Sequence, residues 1–123
     1  MERAVKPLDD LIKRAKSSPQ HIVLAEGADP RIVSGAIRAA KEGVARITLI
    51  GEPHEVATKV GAHNLGDLPI SIVDSRTSGL LARFGNAYQE LRAHKNVSPH
   101  VARRLMSKPL NFAAMMVHLG LAD

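Results

Sequence analysis

The 123-residue sequence contains no cysteine and no tryptophan, and its two phenylalanines and one tyrosine amount to 2% of the chain. Without a thiol there is no disulfide, no thiolate metal ligand and no cysteine nucleophile. With three rings in all, the stacking platforms used by single-strand and RNA binders are missing. No run approaches the ~18 consecutive apolar residues of a membrane span. The first residues, MERAVKPLDDLIKRAK, carry early charge and lack both an apolar segment and a small-residue cleavage site, so no secretory leader is visible. The expectation is a cytoplasmic protein with no membrane contact.

What is present is ordinary for a soluble globular chain, 45% apolar and 24% charged. The length suits one domain with a real core. Seventeen Lys and Arg stand against 12 Asp and Glu, a formal charge of +5 with a pI near 10.0, which favours an anionic partner. The cations are spread along the chain without a block of five or six. That spacing suits a small phosphorylated ligand at least as well as nucleic acid, and a basic nucleic-acid-binding module is the lesser alternative.

Leu8, Leu11, Ile12 and Ala15 recur at i, i+3, i+4 and i+7, one face of a helix ending near Ser17-Ser18-Pro19. The continuous apolar run His21-Ile22-Val23-Leu24-Ala25 predicts a buried strand. After the Glu26-Gly27 turn, Asp29-Pro30 supplies an N-cap acceptor and a proline at the first helical position. That helix carries Ile32, Val33, Ala36, Ile37 and Ala40 and stops at Gly43. Residues 46–50 form a second strand, 53–60 a short helix, 61–69 a polar loop and 70–74 a third strand. A longer helix from Ser78 shows Leu80, Leu81, Phe84, Ala87, Tyr88 and Leu91 on one face. Further helices start at Ser98-Pro99 and Pro109. Strand alternating with helix predicts an α/β fold, three-layer αβα, with at least three strands in a mainly parallel sheet. The sequence stops at Asp123, just after a helix cap, where the pattern calls for another strand, so a truncated chain is expected.

Familiar site patterns are absent: there is no G-x-G-x-x-G, no G-x-x-x-x-G-K-[ST], no H-E-x-x-H and no G-x-S-x-G. Six scattered histidines include no i, i+4 pair, so no metal site is expected. Asp9 and Asp10 are helix neighbours that do not face one another, and a solvated first turn accounts for them. Ligands of α/β sheets bind beyond the carboxyl ends of the strands. This makes Glu26, in the turn AEGADPR, either a substrate contact or a plain turn residue satisfied by local donors. In AYQELRAHKN, continuing the helix at 100° per residue puts Arg92 and His94 on the margins of the apolar stripe and Lys95 near its middle. Lys95 there either snorkels outward at the helix end or faces a ligand. Arg92 can lay its stem on Tyr88 and offer a planar fork to a phosphate.

The segments IVLAEGADPRIVSGA (22–36), ITLIG (47–51), YQELRAHKNVSP (88–99) and PLNFAAMMVHLGLAD (109–123) resemble, in order, the phosphate acetyl/butyryl transferase family. The resemblance implies that residues 1–123 are the amino-terminal α/β segment of a larger two-domain fold, with the carboxyl-terminal remainder absent. It implies acetyl transfer between acetyl-CoA and phosphate, giving acetyl phosphate and CoA. Coenzyme A is then a substrate and no cofactor is bound. A homo-oligomer, as a homodimer, and no nucleic-acid partner are expected of the full-length protein. The arginine of the family's ELR motif contacts the anionic substrate and falls on Arg92; Lys95 and Glu26 are lesser candidates. The family's proposed catalytic aspartate, with a serine and an arginine, lies in the carboxyl-terminal part, so no catalytic residue is expected within this chain, which alone would be inactive. Departures from the family pattern are Ala25 for a common proline, and Ala93 and Asn96 for lysine and glycine. Alternatives within the resemblance are a phosphate butyryltransferase or a non-catalytic CoA-ligand-sensing domain, as in some malic enzymes.

Overall fold

The computed structural model describes residues 6–61 and 65–123, so part of the predicted 61–69 loop, including His63, lies outside the described residues. Three strands form one parallel sheet in the order β1 (Gln20–Leu24), β2 (Ala45–Ile50), β3 (Ile70–Val73). Around it run α1 (Lys6–Ser17), α2 (Pro30–Lys41), α3 (Pro53–Val60), α4 (Leu81–Leu91), α5 (Pro99–Met106) and α6 (Pro109–His118). The predicted α/β class and its parallel strands are what the structure contains.

The central strand explains the layering. Residues alternate faces along β2, so Ile47 and Leu49 enter one core while Ile50 enters the other. Ile47 and Leu49 pack with Val33 and Ile37 of α2 and Val56 of α3. On the opposite face Ile50 meets Leu81, Phe84, Met106, Phe112 and Met116 from α4, α5 and α6. Phe84 and Phe112, both fully buried, tilt at 50° with ring centroids 4.7 Å apart, a geometry that adds about 0.5–1.5 kcal/mol to area burial.

Two expectations need correction. The run in β1 does not make a fully buried strand: β1 lies at one side of the sheet, and Ile22 remains 38% exposed. A strand flanked on both sides and covered on both faces is the one that buries most, and that strand is β2, buried at every position but Arg46. The apolar face of α1 is also largely open, with Leu8 and Leu11 exposed among the described residues.

Helix ends follow local chemistry. Asp29 caps α2, its side chain accepting the Arg31 N–H, with Pro30 at the first turn. Ser98 caps α5 by accepting from the Val101 N–H at 3.2 Å. α4 and α5 pack against one another at Gly85, where an added side-chain carbon would lie 3.5 Å from the Arg103 backbone, an ordinary van der Waals distance.

Candidate functional site

The carboxyl ends of the three strands border a cavity of about 380 Å³, as α/β topology leads one to expect. Gly27 and Gly51 shape its floor. The Gly27 N–H donates to the Ile50 carbonyl at 2.9 Å and the Gly51 N–H to the Val73 carbonyl at 2.9 Å, so each exit turn continues the sheet's bonding by one step. A Cβ on Gly27 would lie 2.7 Å from the Ile50 oxygen, so no larger residue fits that turn unchanged.

The charged groups lining this cavity are Glu26, Asp29, Glu52, Glu55, Asp74 and Arg76. A repeated local device explains most of them. Asp29 accepts the backbone N–H of Arg31 at 2.8 Å, Glu52 that of His54 at 2.5 Å, and Asp74 that of Arg76 at 3.0 Å. Each carboxylate thus closes the turn that leaves its strand. Arg31 and Arg76 then fold their guanidinium groups back onto the same acids, at 3.1 and 3.5 Å. The Arg31 side chain and N–H hold the Asp29 carboxyl below the usual carboxylate range, and Asp29 raises the Arg31 guanidinium in turn. Local turns consume these cations, so the cavity keeps an excess of negative charge and repels a bare phosphate.

Glu26 stands at the rim of this cavity, exposed. No hydrogen bond to its carboxylate occurs among the described residues, and Arg31 lies close enough to feel its charge. The local donors expected of a plain turn residue are thus not seen at its carboxylate among the described residues.

Arg92 lies elsewhere. Neither it nor Lys95 lines the strand-exit cavity, and the structure does not bring them together with Glu26. Its guanidinium carbon sits 5.9 Å from the centroid of the Tyr88 ring, as the helical spacing leads one to expect. Among the described residues no carboxylate pairs with it, and the side chain is exposed.

Lys95 and His94 depart from the helical extrapolation. At Arg92 the backbone turns to φ −113 and ψ 29, a 3₁₀ turn occupies Ala93–Lys95, and Asn96 takes the left-handed conformation at φ 49. A 100° step has no meaning beyond Leu91, and Lys95 is exposed rather than on the core-facing stripe. The turn is tied down by Gln89, whose side-chain amide donates to the Val97 carbonyl at 2.9 Å.

Charge is also less evenly spread than the linear sequence suggests. Residues 81–108 hold six Lys or Arg and one Glu, a net +5, while the rest of the chain has eleven of each sign. All six are exposed, and none forms an ion pair among the described residues. Sequence reasoning missed this; it placed Glu26 at a strand exit and Asp29 as an N-cap, but it also missed the repeated arrangement of the exit carboxylates. The second was spelled out in Asp29-Pro30-Arg31, Glu52-Pro53-His54 and Asp74-Ser75-Arg76, an acid followed two residues later by a base at every exit.

Comparison with known proteins agrees with this architecture. The solved phosphotransacetylase of Streptococcus pyogenes matches the fold with a TM-score of 0.85 at 22% identity, over 98% of this chain and 37% of that one. A phosphate acetyltransferase from Synechocystis sp. is 35% identical over 118 residues, 94% of this chain and 17% of that protein. One from Acetivibrio thermocellus is 36% identical over 116 residues, 94% of this chain and 34% of that protein. The chain thus spans about a sixth of the length of the first and about a third of the second. The profile of the family described as phosphate acetyl/butaryl transferase matches residues 7–123, nearly the whole sequence, and the chain belongs to that family.

Proposed function

We propose that this chain takes part in transfer of an acetyl group between acetyl-CoA and inorganic phosphate, giving acetyl phosphate and CoA. The observation that carries this reading is the family match over residues 7–123. Residues 1–123 are then the amino-terminal α/β segment of a phosphate acyltransferase that acts in the cytoplasm as a homo-oligomer. Coenzyme A is a substrate, and neither a metal, a bound cofactor nor nucleic acid enters the reaction.

In the direction of acetyl-CoA synthesis, a carboxylate base removes the CoA thiol proton. The thiolate attacks the acetyl carbonyl of acetyl phosphate, the carbonyl carbon's bond to the phosphate oxygen breaks, and phosphate departs with its charge. Arg92 serves the last event: an unpaired guanidinium resting on Tyr88 offers two parallel N–H donors to phosphate oxygens. Lys95, one 3₁₀ turn on, adds a weaker point charge. Glu26, in its carboxylate-rich cavity, suits a substrate's N–H or O–H donors rather than phosphate. No residue of this chain is assigned as the base, so the isolated chain is inactive in this reading.

A chimaera tests it. Residues 7–123 replace the matching part of the Acetivibrio thermocellus phosphate acetyltransferase, with folding checked by circular dichroism. Phosphate-dependent release of CoA thiol from acetyl-CoA is expected from the chimaera and not from the isolated chain. A folded chimaera without activity overturns the proposal.

A further inference from the structure

A second cavity lies in the groove between α4 and α5. It measures about 140 Å³ and is lined by Gly85, Asn86, Gln89, Pro99 and Arg103, with Leu81 and Ala82 at one end. At roughly 30 Å³ per water this is room for four to five waters, enough for a tetrahedral oxyanion. Gly85 opens it by presenting no side chain where the two helices cross.

Its chemistry is the reverse of the strand-exit cavity. No carboxylate lines it, and its one charged group is the exposed Arg103, which has no ion pair among the described residues. The Asn86 amide beside it is likewise without a hydrogen bond there, whereas the Gln89 amide nitrogen is committed to Val97. Arg104 and His100 flank Arg103 on α5. Arg83 borders the neighbouring hollow that shares Asn86, and Glu90, the one acid of the segment, lies in that hollow too. An arginine fork with a side-chain amide at the mouth of a small groove matches phosphate oxygens, and the surrounding cations favour a ligand with more than one phosphate charge.

We propose that the α4–α5 groove is an anion site, separate from Arg92, that holds one phosphate of a diphosphate-bearing ligand through the Arg103 guanidinium and the Asn86 amide. The proposal does not depend on the acyl-transfer reading. The ligand is either free diphosphate or a diphosphate carried on a nucleoside.

Amide shift mapping of the purified 123-residue chain with inorganic pyrophosphate, and separately with a nucleoside diphosphate, tests this. Both should perturb Gly85, Asn86, Gln89 and Arg103, and a tighter nucleoside diphosphate would assign the nucleotide-borne source. Arg103→Glu should weaken binding at least tenfold and Asn86→Ala several-fold, while Lys59→Gln, an exposed change on α3 away from the groove, leaves it unchanged. These residues are exposed, and thermal melting checks that each variant folds. Shifts confined to the strand exits or to Arg92, equal binding by Arg103→Glu, or binding of duplex DNA without binding of pyrophosphate would each overturn the proposal.

Discussion

The guanidinium of Arg92 rests 5.9 Å from the centre of the Tyr88 ring, one helical turn back, just where α4 gives way to a 3₁₀ turn. The ring flanks the guanidinium itself, the side chain stays exposed, and no carboxylate pairs with it among the described residues. This is how a cation is kept available, and it contrasts with Arg31 and Arg76, which are spent on their own turns.

Replacing Arg92 in the active chimaera should therefore affect chemistry and not folding. Arg92→Leu is expected to lower kcat/KM for phosphate by about 2–3 kcal/mol, the scale of a lost charge-assisted donor. The melting temperature should not move, because the side chain is exposed. Arg92→Lys should recover only part, since an ammonium cannot reproduce the two parallel donors. Unchanged kinetics in Arg92→Leu would remove this residue from the site.

Gly27 is the tightest point of the strand-exit turn. In Gly27→Ala the new methyl meets a backbone oxygen of β2 at 2.7 Å, so the turn or the strand must shift. A loss of about 1–3 kcal/mol in urea unfolding is expected, the usual scale of overpacking. The same change at Gly35, whose Cβ would meet nothing within 4 Å, should be neutral or stabilising because it lies inside a helix.

Asn96 occupies the left-handed region at φ 49. A β-branched residue is costly there, and Asn96→Val should destabilise by about 1–2 kcal/mol. Asn96→Gly should retain or improve stability. Equal melting of the Val and Gly variants would show that the backbone does not adopt this conformation in solution.

Acid should weaken the start of α2. The Asp29 carboxyl lies below its ordinary value of 3.8 in the folded chain, chiefly through the Arg31 side chain and N–H. On acidification the unfolded chain takes up this proton first. The contribution is thus full above 3.8 and is lost as pH falls through the lowered native value. Asp29→Asn keeps a cap acceptor without the titration, so its stability should fall less steeply over that acid range. Parallel curves for the two proteins would show that Asp29 contributes nothing to the acid transition.

The element order, the parallel sheet and the caps at Asp29, Ser98 and Gly43 were legible in the sequence because each follows from local chemistry: apolar period, N-cap acceptors, prolines at first turns. So was the approach of Arg92 to Tyr88, which needs only four residues of helix. Legibility ended where a neighbour decided the outcome. The exposure of Ile22 depends on β1 lying at one side of the sheet, which its own residues do not encode. Lys95 was misplaced because the helix stops at Leu91, and the period continues on paper when the hydrogen bonds do not. The cations of residues 81–108 are countable in the sequence, but that all six stay exposed and without ion pairs among the described residues emerges only from the packing of α4 and α5.

That hairpin of cations, joined to a body with equal numbers of each sign, makes the molecule a permanent electric dipole. A negatively charged surface exerts a torque on it as well as a pull, over a reach of about 8 Å at physiological ionic strength. The chain therefore arrives α4 and α5 first. Retention on a cation exchanger should track the six cations of residues 81–108 more closely than the overall pI near 10.0.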